Sequence, residues 1–320
     1  MKLGPLTFIP KYSPKPWGGR RLERLGKTLP PGESIGESWE IYDRPEASSV
    51  VAEGPWRGST LEQMMKEWGP RLLGPREFDK HYERFPLMVK FIDAREALSV
   101  QVHPDDDQAL RLVSPHELGK TEMWSVLEAD PDSSVVAGLK RGTDREIFLA
   151  ALKAGKLDGV LNQVPVKPGD VVFIPAGRVH AIGAGCLIAE IQQNSDTTFR
   201  VYDYGRLEKD GKPRDLHLGP ALECIRFDDE MAELPGIQPL ADLECPYFRV
   251  ERLAPMGRQV LASHEPCFQI LLGIGGEIGL HCDGQALRLK AGSTVLIPAD
   301  LTPVLENATP GAALLRVRPF

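Results

Sequence analysis

From Leu98 the chain reads L-S-V-Q-V-H-P-D-D-D, with apolar and polar residues alternating up to Pro104. An extended strand sends successive side chains to opposite faces. Leu98, Val100 and Val102 therefore share one face, and Ser99, Gln101 and His103 share the other. An amide and an imidazole two apart on one face can both reach a single ion. Pro104 has no N–H for a ladder and ends the strand. The same period marks Gly119–Leu127, which puts Lys120, Glu122 and Trp124 on one face and Met123 and Ser125 on the other. Nearly continuous apolar runs at Pro86–Asp93 and Leu187–Gln193 predict buried strands. Short strands are expected at Ser38–Tyr42 and Ser49–Ala52, and from Phe248 onward strand spacing holds to Val317.

Helical spacing is rarer. Leu61, Met64, Met65 and Trp68 fall at i, i+3, i+4 and i+7, capped by Ser59 or Thr60 and ended by Gly69-Pro70. Asp105–Asp107 can cap a helix through Ala109, Leu110 and Val113 and suit its positive N-terminal end. A third helix carries Ile147, Phe148, Ala151 and Leu152, with Thr143 as cap and Glu146 three later in a capping box. A short helix is expected within Gly219–Phe227, and Lys209–Lys212 reads as a hairpin turn. Even positions from Asp196 to Arg206, namely Asp196, Thr198, Arg200, Tyr202, Tyr204 and Arg206, form one polar, aromatic and cationic face if extended.

An internal repeat organises the whole. Lys167–Pro175 (K-P-G-D-V-V-F-I-P) matches Lys290–Pro298 (K-A-G-S-T-V-L-I-P) at Lys, Gly, Val, Ile and Pro, and Ala follows each final Pro. Each copy is a turn, a strand and a turn, which implies two related β-domains in tandem. The copies differ where chemistry would occur: Gly177 faces Asp300, and His180 faces Pro303. A coordinating group is thus expected in the first domain, residues 1–235, and none in the second, residues 236–320. The acidic, Pro-bearing stretch 228–239 serves as linker.

Composition narrows the function. Of 320 residues, 42% are hydrophobic and 26% charged, a globular balance. The net charge of -7 and the lack of a basic run argue against nucleic acid as a partner. The 31 glycines and 28 prolines suit a chain of many tight turns. Five scattered cysteines without C-x-x-C offer neither a thiolate zinc site nor a disulfide framework. No apolar run reaches the ~18 residues of a membrane helix and no signal-peptide core opens the chain, so a cytoplasmic protein is expected.

The spacing Gly169, Pro175, Gly177, His180 resembles the second half of the cupin motif, whose jelly-roll domains hold a metal among inward side chains. Gln101, His103 and Glu122 stand for the first half. The set Gln101, His103, Glu122 and His180 suits a catalytic zinc with an open position. The likeness then tightens. L-S-V-Q-V-H-P-D-D from Leu98, G-K-T-E-M-W from Gly119, His180-Ala181 after Gly177, and Q-Q-N-S-D-T-T-F-R-V-Y-D-Y-G-R from Gln192 together resemble type I mannose-6-phosphate isomerase, in its short bacterial branch. P-K-P-W-G-G-R-R-L from Pro14 and G-E-S-W-E-I from Gly36 fit too.

The resemblance implies a mainly β fold of two tandem cupin domains, with a small helical segment at about 141–162. It implies one Zn2+ per chain on Gln101, His103, Glu122 and His180. Arg200 and Lys120 would serve catalysis, and Ser99 and Arg206 would contact the phosphate. Gly119 and Thr121 stand where the longer branch has His and Pro. The substrate would be a small phosphorylated sugar; a monomer and a homodimer are both compatible. The chemistry moves a proton between C1 and C2 through a cis-enediol, which needs a base and an electrophile. Lys120, a zinc-bound water and a further carboxylate are all open as the base. Two competing readings are a cupin dioxygenase, against which Gln101 in place of a His argues, and a non-catalytic phosphosugar-binding cupin.

Overall fold

Alternating and continuous apolar strands must bury one face or both, and the computed structural model shows where. It describes residues 3–81, 83–208, 211–229, 238–239 and 242–320. A seven-stranded sheet runs, in spatial order, Gln238–Pro239, Asp170–Ile174, Glu122–Ala129, Cys186–Gln193, Leu87–Ala94, Ile35–Ile41 and Lys11–Gly19. A five-stranded sheet faces it in the order Leu161–Pro165, Ser134–Leu139, His180–Ile182, Val100–Val102 and Phe199–Tyr202. All their pairings are antiparallel.

A second pair of sheets follows the same plan. Asp242–Glu244, Phe248–Leu253, Ala313–Pro319, Gln269–Gly275 and Thr294–Ile297 form one. Gln259–Val260, Val304–Glu306, Glu277–Cys282 and Gln285–Lys290 form the other. The fold is mainly β and cupin-like, as expected. The repeated turns agree in detail. Gly169 (φ +92°) and Gly292 (φ +84°) both take the left-handed conformation that glycine adopts without a Cβ penalty. Asp170 accepts from the Lys167 amide at 2.8 Å, and Ser293 accepts from the Lys290 amide at 3.0 Å. Residues 230–237 of the expected linker, with the boundary at 235/236, lie outside the described residues, as do Lys209 and Asp210 of the hairpin turn, while Gln238–Pro239 at the end of that stretch pairs with Asp170 and Val171.

The seven-stranded sheet is covered on both sides, which explains its unbroken apolar runs. Trp124, Val126 and Ile188 face Val135, Ala137 and Ile182 of the five-stranded sheet. Val89, Phe91, Met123 and Ile191 point the other way, into a core that also holds Phe248, Phe268 and Ile270 of the second sandwich. Phe85 and Phe268 meet at 4.8 Å between ring centroids, and Leu6 exchanges backbone hydrogen bonds with Leu296 at 2.8 and 2.9 Å. The two sandwiches therefore share apolar core.

Two helices depart from expectation. The first runs Leu61–Leu73 straight through Gly69-Pro70, capped by Thr60 with Gln63 in a capping box. A proline inside a helix costs about 3 kcal/mol, but continuing the helix buries Leu72 and Leu73 completely, each worth about 1.5–3 kcal/mol. The helix ends where Gly74 takes φ +93°. The other, Arg145–Lys153, is capped by Asp144 and not Thr143: Asp144 Oδ1 accepts from the Ile147 amide at 2.8 Å, while Thr143 is buried. Among the described residues, no helix is long and apolar enough to cross a membrane.

Gly69 packs against the Phe78 ring so closely that a Cβ would sit 2.1 Å from it. Alanine in a helix interior gains up to ~1 kcal/mol over glycine, yet overpacking typically costs about 1–3 kcal/mol. Gly69→Ala should therefore lower the urea midpoint, and an unchanged or raised midpoint would contradict this packing.

Candidate active site

Register assembles the site. Arg200, Gln101 and His180 are Cα partners across three adjacent strands of the five-stranded sheet, so they stand in one row on one face. His103 lies two residues beyond Gln101, and Glu122 opens its strand in the facing sheet. A matching row crosses that sheet: Trp39, Lys90, Glu190 and Trp124.

Where the rows meet, ligating atoms of His103, Glu122 and His180 all lie within 4.8 Å of one another, and all three residues are buried. Each histidine has Nδ1 2.8 Å from a backbone carbonyl, Thr197 O for His103 and Arg178 O for His180. A carbonyl only accepts, so Nδ1 carries the proton and the Nε2 lone pair faces inward. Burial, followed by His103, pushes His180 down to about 3; burial and then Lys120 lower His103. Both rings are neutral, the form that binds metals. Burial opposes charge on Glu122, but the Lys120 ammonium hydrogen-bonded to it favours the carboxylate, and its carboxyl lies well below the usual range.

The spacing has a plain physical reading. The two Nε2 atoms are 3.1 Å apart, Glu122 Oε2 is 3.4 Å from His103 Nε2, and Glu122 Oε1 is 3.5 Å from His180 Nε2. A tetrahedral ion with bonds of 2.0–2.1 Å would set its ligand atoms roughly 3.3–3.4 Å apart. The Gln101 amide lies 3.2 Å from His180 Nε2, with Oε1 towards Ser99 Oγ at 3.2 Å. Exchanging its O and N by rotation would bring its oxygen to the group as a fourth donor. The residues fit a divalent cation. Lys120 Nζ reaches into the same cluster, 2.8 Å from His103 Nε2 and hydrogen-bonded to Glu122 Oε2.

Beside the cluster opens a cavity of about 250 Å³, lined by Ser99, Gln101, Lys120, Glu122 and Arg200 of the expected residues. Arg206 does not line it. The strand stops at Tyr202, Tyr204 (φ +55°) and Gly205 (φ +68°) turn the chain, and the Arg206 guanidinium instead donates to Ala97 O at 2.5 Å. The extended face expected from Asp196 to Arg206 thus ends at Tyr202. Asp196 accepts from Lys90 Nζ at 3.2 Å. Arg200 donates to Asp215 O at 2.8 Å, and burial, then the neighbouring Arg214, lower its pKa.

Sequence reading missed Lys15, Lys90, Glu190 and Arg214, which also line the cavity. Lys90 and Glu190 did leave a signal, since each is a charge inside an apolar strand, where unpaired charges are rare. Burial, and then repulsion from Glu122, raise Glu190 to about 7. Burial works against charge on Lys90, but Asp196, Glu37 and Glu190 more than offset it and raise its pKa. Arg214 lies outside any strand or helix and left no such signal; Asp203 grips it through Nε and Nη2 at 2.7 and 2.6 Å.

Gly119 and Thr121 have local reasons. A Cβ on Gly119 would lie 2.7 Å from the Asp105 carbonyl carbon and the Asp106 nitrogen. The Thr121 amide, which a proline would lack, donates to Gln193 Oε1 at 2.9 Å, and its hydroxyl accepts from the Ala176 amide at 3.2 Å.

A paired-sheet sandwich with a buried His–Glu–His cluster at the wall of a charged cavity defines a cupin-like protein with a group of side chains able to hold a metal ion. Comparison with known proteins narrows this. The sequence profile of the phosphomannose isomerase type I catalytic domain matches residues 6–123. A mannose-6-phosphate isomerase of Bacillus subtilis is 36% identical over 308 residues, 94% of this chain and 95% of that protein. One from Streptococcus mutans is 34% identical over 301 residues, 92% of each. The crystal structure of a mannose 6-phosphate isomerase from Bacillus subtilis superposes with a TM-score of 0.85 at 31% identity, covering 98% of this chain and 99% of that one. The chain belongs to the type I phosphomannose isomerase family.

His180→Ala and Glu122→Gln should each lower bound metal, measured by elemental analysis after dialysis, well below wild type. A chelator should lower the melting temperature of the wild type but barely move that of His180→Ala. Equal metal content in all three proteins would contradict the assignment of these side chains.

Proposed function

We propose that this protein interconverts mannose 6-phosphate and fructose 6-phosphate, using one zinc ion held by Gln101, His103, Glu122 and His180. The observation that carries the reading is the convergence of two neutral imidazole Nε2 atoms and a carboxylate, 3.1–3.5 Å apart, beside a cavity that Arg200 lines, in a chain of this family. The donors are nitrogen and oxygen with a single formal negative charge, a set suited to catalytic zinc. When bound, zinc supplies a Lewis acid next to the sugar carbonyl.

The chain's own groups do the rest. Arg200, level with Gln101 in the sheet, orients the C1–C2 unit and stabilises negative charge as it develops on oxygen. Lys120, buried against the donor set, serves proton movement at the substrate oxygens. Glu190 is the carboxylate of the cavity that burial holds near neutrality, the range in which a base is most effective. Ser99 and Arg214, which line the same cavity, offer donors to the phosphate. Arg206 acts through Ala97 O, two residues before Ser99, by holding the strand that presents Ser99 and Gln101.

Residues 1–235 form the catalytic unit in this reading, and 236–320 the metal-free one. The described cysteines are all unpaired, consistent with a reducing, cytoplasmic setting. The family comparison gives the dioxygenase alternative no support.

A coupled assay with mannose 6-phosphate, run with chelator and after zinc is restored, tests the function. Turnover that falls with chelator and returns with zinc is expected; none with zinc restored would leave a phosphosugar-binding protein. Arg200→Ala should keep its fold and bound zinc while kcat falls by roughly 10²–10³. A near-wild-type kcat would remove Arg200 from catalysis.

A further inference from the structure

Lys120 sits on neither helix nor strand: it lies near the end of residues 113–121, which bridge the Asp106–Leu112 helix and the strand that starts at Glu122. Its ammonium must nevertheless be held to a fraction of an ångström beside His103 and Glu122. Both neighbours of Lys120 in the chain are fixed by side chains. The Gly119 amide donates to Asp106 Oδ1 at 2.8 Å, and the Thr121 amide donates to Gln193 Oε1 at 2.9 Å. Gln193 is tied to the same carboxylate, its Nε2 donating to Asp106 Oδ1 at 2.9 Å. Asp106 is therefore the hub of the loop. Its other oxygen, Oδ2, accepts from Tyr247 Oη at 2.9 Å.

Tyr247 belongs to the second sandwich, in the turn between Asp242–Glu244 and Phe248–Leu253. We propose that Tyr247 is a positioning residue for Lys120: through Asp106 the metal-free sandwich sets the loop that presents the catalytic lysine. Gly119 lies against the first turn of the helix with no room for a Cβ, so a displaced Asp106 carries Gly119 and Lys120 with it. Groups that must meet a substrate within a near-attack geometry lose rate steeply when misplaced by an ångström. The sister copy, with Pro303 where His180 stands, supplies no ligand of its own here; its contribution to the site is a hydroxyl.

The role assigned to Lys120 rests on the isomerase reading, whereas the clamp itself has a readout that needs no substrate. In full-length Tyr247→Phe, the Gly119 amide should exchange with deuterium faster than in wild type, read on a peptide spanning 118–121. kcat for mannose 6-phosphate should fall about five- to tenfold, with KM and bound zinc within about twofold of wild type. The double variant Tyr247→Phe/Asp106→Ala should turn over no more slowly than Asp106→Ala. Phe248→Leu, next in the chain but in the shared core, should lower the melting temperature and leave kcat in place. Unchanged kcat in Tyr247→Phe, unchanged exchange at Gly119, or effects of the two substitutions that simply multiply would each overturn the proposal. Absence of turnover in the wild type would instead refute the isomerase reading, while the exchange measurement would still decide the clamp.

Discussion

Two imidazole lone pairs directed at each other across 3.1 Å, with a buried carboxylate beside them, make an arrangement that calls for positive charge between them. Each ring is committed to this by the carbonyl at its far nitrogen. Burial removes the alternative of protonating a ring, because desolvation disfavours the charged imidazole. Lys120 and the fitted cation site are two answers to the same electrostatic demand. The charged neighbours Lys90, Glu190 and Asp196 extend it, since each is paired with opposite charge inside the cavity wall.

That arrangement depends on the double coverage of one sheet. The Leu87–Ala94 and Cys186–Gln193 strands are buried along their whole lengths. One face closes the cavity, and the other carries the core shared with the second sandwich. A charged group such as Lys90 can sit deep in this sheet because its partners sit there too; removing one would leave an uncompensated buried charge. The second sandwich thus covers the outer face of the sheet whose inner face walls the cavity.

The faces of individual strands were legible in the residues. Gln101 opposite Val100 and Val102, and Glu122 and Trp124 opposite Met123 and Ser125, follow from a two-residue period that any extended strand obeys, whereas Ser99, His103 and Lys120 flank their strands. The repeat at Lys167 and Lys290 was equally plain, because the same turn needs the same glycine and the same side-chain acceptor. Helix ends were less so. Gly69-Pro70 is a strong local stop, and it lost to the burial of two leucines that no local pattern reports. Asp144 and Thr143 are both good caps in isolation, and packing around Thr143 chose between them.

The sequence alone thus determined the sheet-rich class, the candidate metal-binding residues His103, Glu122 and His180, and the family likeness, since local period and residue chemistry act over a few neighbours. Tertiary structure decided which faces meet. It put Arg200 in register with Gln101 and turned the chain at Tyr204 so that Arg206 leaves the cavity. It brought in Lys90, Glu190 and Arg214, and it reached from Tyr247 to Asp106 across 141 positions. Those outcomes are set by pairing between distant strands, and a pairing energy exists only once the chain has closed the long loops that bring its partners together.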